Sequence, residues 1–182
     1  MKKLLLNLLF LVLTTTIYSQ TGHIMQGIGA VNMSMGGAAT AQPLDINGAL
    51  HWNPAAISVF DKKILSVNAG LFFSAPELSS TVPTPQGPFS GVTKDDRGIS
   101  IMPAIAMVFG KESSKHTFGV SAFGISGFGA TFPENPLNPI NTPQSMGGFG
   151  RIESDFAMLQ IGLTYAYEIS DHLSIGIAPT IN

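Results

Sequence analysis

The chain has no cysteine, which excludes disulfides and thiolate metal sites. It is also poor in charge. Asp, Glu, Lys and Arg make up 11% of its 182 residues, against about 25% in an ordinary soluble domain. The net charge of −2 excludes the basic face that nucleic-acid binding requires. After the N-terminal leader, no apolar run approaches the roughly 20 residues of a membrane-spanning helix. His23, His51, His116 and His172 are scattered, and no Ser/His/Asp set or carboxylate pair stands out. Neither a catalytic site, a metal centre nor a cofactor is therefore expected.

What is present begins with an export signal. Lys2 and Lys3 precede an apolar stretch over residues 4–13, broken only by Asn7. Small and polar residues over 14–19 then lead to a cut, most simply after Ser19. The alternative is a membrane anchor, but Thr14, Thr15 and Thr16 cut the apolar run short. Low charge, abundant glycine and the lack of a long apolar run fit a membrane β-barrel, where each strand shows lipid only half its residues.

Five segments alternate with period two, the mark of a strand with two different faces. The clearest spans residues 157–167. Ala157, Leu159, Ile161, Leu163, Tyr165 and Tyr167 oppose Met158, Gln160, Gly162, Thr164 and Ala166. Residues 173–180 repeat the pattern, and residues 65–73, 101–109 and 118–123 carry noisier versions. A soluble β-sandwich alternates in the same way, so the connections must separate the two. Residues 110–116 and 169–172 are short and polar, whereas 74–98 and 127–150 are long and rich in Pro, Gly and Ser. Outer-membrane barrels alternate short periplasmic turns with long extracellular loops. Unstructured loops this long are uncommon in a compact soluble domain.

The predicted fold class is all-β: an antiparallel transmembrane β-barrel, of which this chain carries about five N-terminal strands. Closure takes about eight strands or more, so the chain is expected to be the N-terminal part of a longer protein, or else one chain of a barrel built from several. The expected division is a signal peptide over 1–19, a hatch or plug over 20–61, and the first barrel strands over 62–182.

Residues 27–57 are rich in Gly and Ala and almost free of charge. Gly27-x-Gly29 fails as a dinucleotide fingerprint, because Asn32 stands where the third glycine belongs and no strand precedes it. Small residues such as Gly36 and Gly37 instead suit close backbone packing. The segment closes on Asn53, Pro54 and Ala55. Pro54 biases Asn53 away from helical geometry and itself suits the first helical position, while Asn53 can cap the turn. One reading is a helix start over 54–59 that fixes the segment; the other is direct ligand contact.

Gly124, Gly127 and Gly129 crowd the end of the third strand and mark either a bulge or a flexible lead into the loop. Phe72, Met102, Phe123 and Phe128 are candidate contacts for an apolar ligand in a lumen, or else wall packing. Asp95 and Asp96, with Glu153 and Asp155, read as strand-end charges outside the membrane band; a divalent-ion site at Asp95 and Asp96 is the alternative.

The order matters: a Gly-rich opening, Met35-Gly36-Gly37-Ala38, Asp45, Asn53-Pro54-Ala55, then Asp61 and the first amphipathic strand. From about residue 22 onward the chain resembles the FadL/TodX-type outer membrane transport family. The resemblance implies an N-terminal hatch, with the Asn-Pro-Ala motif inside it, filling the lumen of a larger barrel. It also implies passive uptake of a long-chain fatty acid or aromatic hydrocarbon ligand and location in the cell outer membrane, surrounded by outer-membrane lipids. The full-length protein is expected to be monomeric. A kink in the family's third strand opens the wall sideways; here it would fall within residues 123–128, beside Gly124, Gly127 and Gly129. The rival readings are a non-transport barrel serving as adhesin or anchor, which would need no hatch, and a periplasmic β-sandwich.

Overall fold

The computed structural model describes residues 21–182, so the predicted signal peptide lies outside the described residues. Period-two alternation yields strands, as expected, but the described residues form eight rather than five. They are β1 (Lys63–Phe73), β2 (Glu77–Thr84), β3 (Gly87–Lys94), β4 (Ile99–Phe109), β5 (His116–Phe132), β6 (Ile152–Ser170), β7 (Leu173–Ile177) and β8 (Thr180–Ile181). The main sheet runs β1-β4-β5-β6-β7, and β8 also pairs with β6. Every pairing is antiparallel. No helix among the described residues is long and apolar enough to cross a membrane.

Three expectations need correction. The connection over 74–98 is not an unstructured loop: β2 and β3 form a separate two-stranded hairpin inside it. The connection over 127–150 is shorter than expected, because β5 continues to Phe132 and β6 starts at Ile152. The last strand is broken, since Pro179 has no N–H to donate and separates β7 from β8.

Side chains take the faces that the alternation assigned. On β4, Met102, Ala104, Ala106 and Val108 are buried, while Ile101 and Ile105 are exposed. On β6, Leu159, Ile161 and Leu163 are exposed opposite the inward Gly162, Thr164 and Ala166. The inward face is covered by the N-terminal segment, which carries two short helices, α1 (Gly29–Ser34) and α2 (Ile46–Trp52). The core lies between them: Ile46, Ala49, Leu50 and Ile57 pack on Ala104, Ala106, Val108 and Phe123.

Polar contacts set the position of this cover. Asn47 Nδ2 donates to Ser66 Oγ of β1 at 2.8 Å, and Ser58 Oγ donates to Ser174 Oγ of β7 at 2.9 Å. Asn32, the residue that breaks the nucleotide fingerprint, is its internal knot. Its buried Oδ1 accepts from Ile28 N at 2.9 Å and from Trp52 Nε1 at 3.2 Å.

Candidate functional site: a covered cavity and a gap in the sheet

Asn53 does what its place before a proline predicts. Its Oδ1 accepts from Ala55 N at 3.1 Å and caps the 3₁₀ turn Pro54–Val59, while its Nδ2 donates to Thr40 O at 2.7 Å. Pro54 sits at the start of the turn, where its missing N–H leaves nothing unpaired. The turn packs on β6 and β7, and Gly176 of β7 lies directly beneath it. A Cβ there would stand 2.5 Å from the Pro54 carbonyl carbon and closer still to Ala55 N. Gly36 and Gly37 follow α1 with φ of +63° and +86°, geometry that favours glycine. Gly37 also abuts the Gln26 carbonyl, where no side chain fits. Asn53→Ala removes one cap bond and one tether. It is expected to cost about 1–2 kcal/mol locally, so amide exchange across Pro54–Val59 should quicken about five- to thirty-fold.

The second feature is a gap between β4 and β5. Their pairing runs from Phe109–Phe118 up to Ala104–Phe123 and stops. The next residue of β4 is Pro103, which has no N–H for the ladder. On β5 the register against β6 slips between Gly124 and Ser126, so Ile125 is a bulge. The bulged Ile125 carbonyl accepts from Met25 N at 2.9 Å, which ties the N-terminal segment to the gap.

Two cavities flank this gap. One, of about 300 Å3, lies between the N-terminal segment and β1/β4. Met25, Ile28, Met33, Leu71, Phe72 and Met102 give it an apolar lining with no charged side chain. The other, of about 360 Å3, lies in the wall itself, bounded by Ile99, Ile101, Gly127, Met158 and Leu159. Both are lined by Met102, Pro103 and Gly124. Met102 leans over Gly127, where a Cβ would stand 2.6 Å from its terminal methyl.

The four apolar candidates separate. Phe72 and Met102 line the covered cavity. Phe128 meets Phe72 edge-on at 5.3 Å and lies 6.5 Å from His23. Phe123 is buried in the core against His51. Burial holds the His51 pKa below its ordinary value, with a Gln160 hydrogen bond pulling the other way. Of the three glycines, Gly124 and Gly127 border the gap, while Gly129 lies against Arg97 and the Ser154 carbonyl. Asp95 Oδ1 accepts from Thr131 N at 2.6 Å and from Arg97 N at 3.3 Å, so this carboxylate has a structural task. No set of metal-ligating side chains gathers among the described residues.

Sequence reasoning missed Gly176, Pro103, Ile125 and Arg97. Pro103 carried a readable signal, a proline in the middle of an apolar strand; the other three depend on which strands become neighbours.

A sheet face suited to lipid, with an apolar cavity behind it, is the arrangement of a β-structured outer-membrane protein that handles hydrophobic molecules. The chain belongs to the family described as outer membrane protein transport protein (OMPP1/FadL/TodX), whose model matches residues 12–182. It is accordingly an outer-membrane protein of the kind found in Gram-negative bacteria, from a family of transporters of hydrophobic compounds rather than of enzymes. No curated protein and no solved structure matches the chain.

Proposed function

We propose that the protein is a β-barrel channel for the passive uptake of long-chain fatty acids or other hydrophobic compounds such as aromatic hydrocarbons. Residues 20–61 act as a hatch in its lumen. The observation that carries this reading is the meeting of the covered cavity and the wall cleft at Met102, Pro103 and Gly124. An apolar guest enters the cavity because burial of apolar surface is worth about 25 cal/mol per Å2. Met102, unbranched and adaptable, then swings aside, and the guest leaves sideways through the gap that Pro103 and the Ile125 bulge keep open. No energy source is needed, since the path runs along mainly apolar surface from the covered cavity into the wall cleft. The hatch supplies the cavity's second wall and stops the lumen from leaking.

Cells carrying the full-length gene should take up labelled oleate or toluene several-fold faster than cells lacking it. Equal uptake of every apolar compound tried would end the importer reading.

A further inference from the structure

We infer that Arg97 reads the head group of the ligand in the wall cleft. It takes the carboxylate of a fatty-acid-like amphiphile whose tail lies along the cleft, and it releases Asp155 in exchange. The cleft is apolar along Ile99, Ile101, Met158 and Leu159, but one end is not. There the Arg97 guanidinium reaches across β5. Its Nη1 donates to Gly127 O at 3.4 Å, and its Nη2 pairs with Asp155 Oδ1 of β6 at 2.5 Å. The guanidinium side chain is mostly buried, at 18% exposure, whereas the Asp155 side chain is 64% exposed. A carboxylate so open to water leaves at little cost, and an incoming carboxylate restores the same charge-assisted bonds to Arg97.

A second observation points the same way. Ser126, next to Gly127 and also lining the cleft, is 2% exposed, and its Oγ has no hydrogen-bond partner among the described residues. A buried hydroxyl left unpaired is costly, and this one is an unmet polar group in the cleft, on the face that Met158 shares.

The position suits an amphiphile. Outward positions of β6 are apolar from Ala157 to Leu163 and end in Tyr165 and Tyr167. Asp155 is the next outward position beyond Ala157, at the polar edge of the band. A head group at Arg97 therefore sits at the membrane surface with its tail beside the hydrocarbon.

This inference rests on the transport reading, and one experiment separates the two. Equilibrium binding of labelled oleate and of oleyl alcohol is measured on the detergent-solubilised full-length protein, with heat-dependent gel mobility checking that each variant folds. Arg97→Met should weaken oleate about ten-fold, the loss of one charge-assisted pair, and leave oleyl alcohol within about two-fold. Asp155→Asn, which removes the competing carboxylate, should tighten oleate and leave the alcohol alone. If Arg97→Met leaves oleate unchanged, or weakens both ligands equally, the head-group role is overturned and the transport reading stands. Wild type that binds neither ligand overturns both.

Discussion

Gly176→Val is expected to unseat the N-terminal segment and open the channel to polar solutes. The clash is between two backbones, because the added Cβ would meet Pro54 and Ala55 main-chain atoms rather than the end of a flexible side chain. β7 cannot retreat easily, since Gly176 pairs with Ala166 and its neighbours Ile175 and Ile177 pair with Tyr167 and Tyr165. The 3₁₀ turn Pro54–Val59 must move instead, and Ile57, fully buried in the core, moves with it. Overpacking of this kind costs about 1–3 kcal/mol or more, and here the whole cost falls on the contact that seats the N-terminal segment on the sheet. Cells with this variant should admit a large polar antibiotic that the outer membrane normally excludes, and protease should cut near residues 60–62. Gly176→Ala should act in the same direction, because the first carbon already collides. Gly22→Val, whose new side chain meets open space, sets the baseline. An undiminished permeability barrier in Gly176→Val would mean that the segment does not seal the lumen.

The strands of the main sheet were legible because an exposed apolar face on one side and a covered face on the other impose a strict period of two. The β2–β3 hairpin has no such constraint. Its polar residues meet a cluster of asparagines, with Asn138 Nδ2 donating to Leu78 O at 2.8 Å and to Thr93 Oγ1 at 2.9 Å. Pro83 and Pro88 also argued against strands there, yet they stand opposite each other. A two-stranded ribbon leaves each strand an open edge toward which a proline nitrogen can point.

The upper half of β5 was hidden for another reason. The bulge at Ile125 shifts the inward–outward alternation, so Gly124–Phe132 reads as glycine-rich loop although it pairs with β6 throughout. The candidate site was half legible for the same cause. The Asn53 cap is a local matter, settled by a side chain and the next two residues. Its seat on Gly176, some 120 residues away, and the pairing of Arg97 with Asp155 exist only once the sheet is assembled.

Pro103→Val is expected to close the wall cleft and cut uptake of a long acyl chain about ten-fold, with the amount and heat-dependent mobility of the protein unchanged. Valine supplies the N–H that proline lacks and favours extended backbone. It also removes the ring carbon that would stand 2.8 Å from a Cβ on Gly124, so the two strands can close up beyond the Ala104–Phe123 pair. The side chain at 103 faces outward, opposite Ala69, so valine there meets lipid rather than core and the fold should bear it.

A second variant approaches the same cleft from the other strand. Gly127→Val places a side chain against the Met102 terminal methyl and sulfur, filling the passage without touching the β4 ladder. The two substitutions share no chemistry, one adding a backbone donor and the other adding bulk. A fall in uptake for both therefore assigns the exit to this gap. Normal uptake in both, with the permeability barrier intact, would place the exit elsewhere and leave the gap a packing consequence of Pro103.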